Sequence, residues 1–248
     1  MVHSTIEFHS RLLGNSRSLW HLPTGDDSLV PRVRPCVLML DAEYYLERMD
    51  ATKILTDATR DARLPAADFV FISHIEHAIR RPESTCSTPF ARCLTEEIPD
   101  FLATQQIISS TAPLILGGLS LTGLAAAHAG LISRQVVSGI LAQSGSFWWA
   151  DEWLTSQVAP VANSPHAHSK IQISISCGRE ETATSVDHGA GLFQKVSQID
   201  ACRRFHAALT GSGYASRFIE HDGGHTIPAW SGVLVDALQP LLRSASDS

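Results

Sequence analysis

Hydrophobic and polar positions along the chain fall into two alternating kinds of segment. Four short runs, residues 36–40, 69–73, 114–116 and 171–176, are apolar on both alternations and end in breakers. A strand apolar on both sides is buried on both, as in a parallel sheet covered by helices. Two further runs, 139–143 and 216–220, lead into glycine turns. Between them lie segments with helical spacing, 47–62, 90–103, 121–129, 199–210 and 232–242. Residues 90–103 keep their charges on one face, and 121–129 are small and apolar, as in a buried helix after a tight turn. Residues 15–22 read as an antiparallel edge strand followed by a turn over 23–27. Strands alternating with helices predict βαβ units and an α/β fold, a doubly wound, mostly parallel sheet with helices on both faces. Residues 1–248 read as one domain, with 1–14 and 244–248 loosely ordered. In open sheets of this kind ligands bind at the carboxyl ends of the strands, so chemistry is expected just after each run.

Composition narrows the class. Of 248 residues, 44% are hydrophobic and 18% charged, enough for one substantial core. A net charge of −6 with no cluster of Lys and Arg argues against a nucleic-acid surface. The five cysteines, Cys36, Cys86, Cys93, Cys177 and Cys202, form no CxxC pair, which points away from a zinc ribbon or a disulfide framework and toward a reducing compartment. Residues 1–8 lack the basic-then-apolar order of a signal peptide, and no apolar run approaches the ~20 residues that span a bilayer. A soluble, cytoplasmic protein with no membrane partner is expected. The pattern fixes no oligomeric state.

The most informative run is Leu114-Ile-Leu-Gly-Gly-Leu-Ser120-Leu-Thr-Gly-Leu124. A strand enters, a helix leaves, and Ser120 sits at the tip between Gly118 and Gly123. Such a turn needs small residues where strand and helix crowd, exposes the serine hydroxyl, and aims the N–H of Leu121 at a developing oxyanion. The G-x-S-x-G pattern would place glycine at 122, where this chain has Thr122. A glycine-rich turn with a capping serine is the alternative.

A base for Ser120 should come last in the chain, from a loop at the same sheet edge. His225 fits, since it follows the sixth apolar run and the Gly223-Gly224 pair frees it to enter a site. His221 falls at the strand end. His74 and His77, or His166 and His168, lack a carboxylate or cysteine cluster at ligand spacing, so no metal is assigned. An acid that orients the imidazole should follow the strand 171–176. Glu180 and Glu181 stand there, with Asp187 a later alternative.

Several segments resemble the enterochelin (enterobactin) esterase family of α/β-hydrolases. Gln143-Ser-Gly-Ser-Phe-Trp148-Trp149 is similar to its Ser-Gly-Ser-Phe-Trp-Trp signature. Leu40-Asp41-Ala42-Glu43-Tyr44 resembles a Leu-Asp-Gly-x-x-aromatic oxyanion loop, with Ala42 where glycine is expected. Arg80-Arg81-Pro-Glu-Ser-Thr85 resembles an Arg-x-x-Glu-Leu-Thr segment, and Glu96-Glu-Ile-Pro99 a Glu-Leu-Leu-Pro helix. Gly178 to Glu181 resembles a Gly-x-x-Glu acid loop, which favours Glu181. Gly223-Gly224-His225 resembles a Gly-Gly-His loop with a downstream tryptophan, here Trp230.

The resemblance covers roughly residues 15–242. It implies an α/β-hydrolase catalytic domain without the N-terminal sandwich of larger members. The implied substrates are esters of ferric catecholate siderophores, hydrolysed in the cytoplasm to release iron. Arg80 or Arg81 would supply charge to such an anion, and Trp148, Trp149 and Tyr44 stacking faces. Both tryptophans also suit a core. The chemistry expected is attack by Ser120, with His225 as base and the oxyanion held by N–H groups of Leu121 and of the Asp41–Ala42 loop, with no cofactor. Two other readings are a general carboxylesterase or acyltransferase acting on small or sugar acyl esters, and a non-catalytic binding protein. The loop 182–197 looks long and would reshape the pocket.

Overall fold

The computed structural model describes residues 3–25, 33–161 and 171–246. The turn expected over 23–27 therefore runs outside the described residues, and so do His166 and His168. In chain order the strands are β1 (His3–Ser10), β2 (Asn15–Pro23), β3 (Cys36–Leu40), β4 (Asp68–Ile72), β5 (Leu114–Leu119), β6 (Val137–Gln143), β7 (Gln172–Gly178), β8 (Val186–Asp187), β9 (Phe193–Gln194) and β10 (Ala215–His221). The helices are α1 (Ala51–Arg60), α2 (His77–Ser84), α3 (Thr88–Arg92), α4 (Ile98–Thr104), α5 (Leu121–Ile132), α6 (Trp149–Ser156), α7 (Gln198–Gly211) and α8 (Ile227–Ser246).

Eight strands form one sheet in the order β1-β2-β4-β3-β5-β6-β7-β10. Every pair from β4 to β10 is parallel, whereas β1–β2 and β2–β4 are antiparallel. The doubly wound sheet is present, and the strand over 15–22 is antiparallel as expected, but it is not the edge, because β1 pairs along its outer side. Residues 3–14, expected to be loosely ordered, are placed instead. From His3 onward they form β1 on the outer edge of β2, and the buried Phe8 ring meets Phe101 of α4 at 5.2 Å.

Side-chain alternation explains the two layers of helices. In β3, Val37 and Met39 enter a buried cluster with Leu55 of α1 and Leu234 and Leu238 of α8. Leu38 and Leu40 enter the opposite cluster, with Phe90 of α3, Leu124 of α5 and Phe205 of α7. All five residues of β3 are buried, which accounts for its unbroken apolar run.

The chain winds from β3 to β4 in one direction and onward through β5 in the other, so the switch point lies between β3 and β5. Asp41 follows β3 and Ser120 follows β5, on either side of that crevice.

Candidate active site

The turn after β5 is built around the backbone of Ser120, which has φ 56° and ψ −122°. A non-glycine residue here is strained and persists only where its surroundings hold it. Ser120 N–H donates to Gln143 O (2.9 Å), and its carbonyl accepts from Ser146 N–H (3.0 Å). Gly118 is obligatory, because a Cβ there would lie 2.5 Å from the Thr122 carbonyl. Position 122 tolerates a side chain: the buried Thr122 hydroxyl accepts the Leu119 N–H at 3.0 Å and sits 2.8 Å from Leu119 O and 2.9 Å from Asp41 Oδ2. Leu121 opens α5, where the first N–H groups have no partner within the helix.

His225 Nε2 lies 3.0 Å from Ser120 Oγ, and His225 Nδ1 lies 2.6 Å from Glu181 Oε2. Three residues from the ends of β5, β7 and β10 thus form one hydrogen-bonded line. The loops after β7 and β10 meet because Gly178 has no side chain; a Cβ there would lie 2.2 Å from Gly223 O. Glu181 is buried, with Oε1 accepting from Ser144 Oγ (2.5 Å) and Gly178 N–H (2.8 Å). Ser144 in turn accepts from Trp230 Nε1 at 2.9 Å, and the Trp230 ring meets the His225 ring edge-on at 4.7 Å. Burial alone would raise the Glu181 carboxyl above the ordinary glutamate range. The hydrogen bond and charge of His225, with those from Ser144 and Gly178, outweigh burial and hold it below. Glu180 and Asp187, the other carboxylates weighed from sequence, are exposed. Asp187 accepts the Gly189 N–H, and Glu180 uses its own N–H to bond Gly223 O.

The sequence profile of the family described as "Putative esterase" matches residues 17–241. The chain belongs to this family. It is 27% identical over 247 residues to an iron(III) enterobactin esterase of Escherichia coli O6:H1, covering 97% of this chain and 58% of that protein. An iron(III) enterobactin esterase of Dickeya dadantii is also 27% identical, over 96% of this chain and 54% of its own length. The chain thus spans a little over half the length of these relatives. The enterobactin esterase of Shigella flexneri, crystallised in the presence of enterobactin, superposes with a TM-score of 0.80 at 26% identity. That match covers 97% of this chain and 58% of the solved one. The fold is that of the α/β-hydrolases, with the doubly wound sheet and the crevice described above.

The motifs over 40–44, 80–85 and 143–149 gather partners that sequence alone did not reveal, whereas Glu96–Pro99 lies away from the site, with Glu97 bonded to Ser10 and the turn after β1. Ala42 keeps φ at −45°, so a side chain is tolerated there; the left-handed residue of the loop is Asp41, at φ 66°. The buried Asp41 carboxylate accepts from Arg80 Nε (2.8 Å) and Nη2 (2.5 Å), and His74 Nδ1 lies 3.3 Å away. Burial would raise this carboxyl, yet Arg80, His74 and Thr122 hold it below the ordinary aspartate range. Arg80, expected as a charge for substrate, is therefore engaged with Asp41. Tyr44 lies beside it, its ring 5.7 Å from the Arg80 guanidinium and 5.0 Å from that of Arg48.

Arg81 is engaged as well, donating from Nη1 to Gly189 O (2.7 Å) and from Nη2 to His188 O (2.9 Å). These carbonyls lie in the hairpin β8–β9, within the long loop noted above. His188 stacks on Trp148 with centroids 5.0 Å apart and 10° between planes. Trp148 is buried and donates from Nε1 to Gln198 Oε1 at 2.6 Å, so it is a core residue capped by the hairpin. Trp149 is half-buried, against Trp153 edge-on at 6.1 Å. Sequence reasoning gave no role to Ser144 or Gln198, and noted Thr122 only as a departure from the elbow pattern. The signal for Ser144 was its place in the Ser-Gly-Ser segment directly after β6.

Proposed function

We propose that this chain hydrolyses carboxylic esters with Ser120 as nucleophile, His225 as general base and Glu181 as its orienting acid. The single observation that carries the reading is the unbroken line Ser120 Oγ–His225 Nε2 (3.0 Å) and His225 Nδ1–Glu181 Oε2 (2.6 Å) at the switch point of the sheet. Glu181 Oε2 accepts a hydrogen bond from His225 Nδ1–H, which leaves Nε2 as an acceptor facing the serine. Ser120 Oγ attacks the ester carbonyl carbon as its proton passes to His225 Nε2. The oxyanion is held by the N–H groups of Leu121 and Ala42, in the loop Asp41–Ala42. The carbon–oxygen bond to the alcohol breaks, and His225 returns the proton to the leaving oxygen. Water then attacks the acyl-enzyme in the same way, giving the acid and free Ser120.

For substrate we infer a catecholate siderophore ester of the enterobactin class. This rests on the relatives named iron(III) enterobactin esterase, each about 27% identical over nearly the whole chain. Two half-buried aromatic residues follow strands of the site, Tyr44 after β3 and Trp149 after β6. A smaller ester is the second reading, favoured by the engagement of Arg80, Arg81 and Trp148 with the protein's own groups.

A fluorophosphonate probe should label the wild type and not Ser120→Ala, and Ser120→Ala should lower kcat by about 10⁴-fold or more. Equal labelling of both proteins would refute Ser120 as nucleophile. Comparing kcat/KM for ferric enterobactin with that for nitrophenyl acetate and butyrate separates the two substrate readings. Faster turnover of the small esters assigns the second.

A further inference from the structure

Thr122 departs from the glycine usual at its place in the elbow, and its hydroxyl reaches across the crevice. It sits in the first turn of α5, one residue beyond Leu121, and is buried. Its oxygen accepts the Leu119 N–H, which fixes its position against the end of β5 (3.0 Å). Its proton has two acceptors in reach, Leu119 O at 2.8 Å and Asp41 Oδ2 at 2.9 Å. The ionised carboxylate is the stronger of the two. Asp41 belongs to the other wall of the crevice, one residue before Ala42. Its backbone is left-handed at φ 66°, a conformation that needs outside support in a residue with a Cβ.

We propose that Thr122 is a positioning residue, whose hydroxyl ties the elbow to the Asp41–Ala42 loop and so sets the spacing between the N–H groups of Leu121 and Ala42. This rests on the hydrolase reading above and deepens it. An oxyanion hole works through donors held in place before charge develops, and a displacement of about 1 Å can cost on the order of a hundredfold in rate. The Thr122–Asp41 bond links the backbones that carry the two donors. Arg80 completes the device. A lone carboxylate beside the hole would repel the developing oxyanion, and the two-point contact of Arg80 with Asp41 neutralises that charge while fixing the carboxylate plane. The groups facing Asp41 are then Thr122 from α5, Arg80 from α2, and His74 after β4.

The test uses Thr122→Val, which removes only the hydroxyl, and Thr122→Gly, which the elbow accommodates by its usual pattern. Thr122→Ser serves as rescue. Hydrogen exchange of the peptide spanning residues 38–48 reports the tie itself, without reference to turnover. Exchange should quicken in the Val and Gly proteins and return toward wild type in the Ser protein. On an ester that the wild type turns over, kcat should fall by about ten- to a hundredfold in the Val and Gly variants, KM moving less than about threefold, with the Ser variant restoring most of kcat. Unchanged exchange in both Val and Gly variants overturns the tie. Quickened exchange with undiminished kcat overturns its part in positioning. A wild type that shows no Ser120-dependent fluorophosphonate labelling refutes the hydrolase reading instead, and with it the positioning of an oxyanion hole, while exchange still decides whether the tie exists.

Discussion

Glu181 meets three groups with two oxygens, and the division of labour matters. Oε1 is occupied by Ser144 and the Gly178 N–H, which leaves Oε2 directed at His225 Nδ1. Glu181→Gln places an amide there. If its –NH₂ faces the imidazole, Nδ1 must accept and Nε2 must carry the proton, the wrong tautomer for a base. A fall in kcat of about 10³–10⁴-fold with KM nearly unchanged is expected from steady-state kinetics. The same residue gives a prediction for stability. Its carboxyl is held below the ordinary 4.5 in the folded state, so its contribution is fully present above that value and is lost as pH falls through the folded pKa. Melting temperatures measured below pH 4.5 should therefore decline less steeply in Glu181→Gln than in wild type. Ser120 and His225 were legible because glycines and apolar runs flank them in chain order. Ser144 was not, because its role depends on a bond to a residue 37 positions away. Sequence left Glu180 and Glu181 open apart from a family pattern, since both follow the same strand; only the turn at Gly178 decides which faces inward.

The elements read correctly were those whose pattern is set by burial on two faces. Each of β3 to β7 coincides with an apolar run, because a covered parallel sheet needs apolar residues on both sides, whereas β10, at the outer end of the sheet, falls on the run 216–220 without a fully buried residue. The helix expected over 47–62 breaks instead at the left-handed Asp50, with a π-helical turn (Glu43–Arg48) before it and α1 after it. The helical run expected over 90–103 is present as α3, a π-helical turn (Cys93–Glu97) and α4. Elements held by long-range contacts left little local signal. β1 is an edge strand, and α2 contains Pro82. The two-residue strands of the β8–β9 hairpin are too short for any periodicity. That hairpin is fastened from three sides: Arg81 on the His188 and Gly189 carbonyls, the His188–Trp148 stack, and Lys195 on Asp151. Arg81→Met should loosen it without weakening the core. Limited proteolysis should cut faster within residues 186–194, while Tm shifts by no more than about 2–4 °C. Unaltered cleavage would show that the stack and the Lys195 pair suffice.

At the scale of the molecule, the antiparallel edge and the crevice are joined through one buried ion pair. Arg17 of β2 has a fully buried side chain, and its Nη2 and Nη1 meet Glu83 of α2 at 2.8 and 3.2 Å. Asn15 bridges the same two groups, and Phe90 lies beneath the guanidinium at 5.3 Å. Arg17 Nε is buried without a hydrogen bond, so the pair carries a desolvation cost that its contacts only partly offset. Its value lies in placement. α2 also presents Arg80 to Asp41, and the Arg17–Glu83 contact fixes that helix against the sheet three residues further on. Removing one partner strands a charge in the interior. Arg17→Met should lower unfolding free energy by about 3–5 kcal/mol, measured in urea, whereas Arg17→Met with Glu83→Leu should recover most of that loss. A double variant as unstable as the sum of the two single ones would mean that the charges do not compensate one another. If the pair serves placement, the recovered double variant should still show a lower kcat, because apolar contact holds α2 less rigidly in register than a two-point ion pair does. A wild-type kcat in a stable double variant would leave Asp41 and Thr122 as sufficient anchors for Arg80, and would confine the Arg17–Glu83 pair to the packing of the edge.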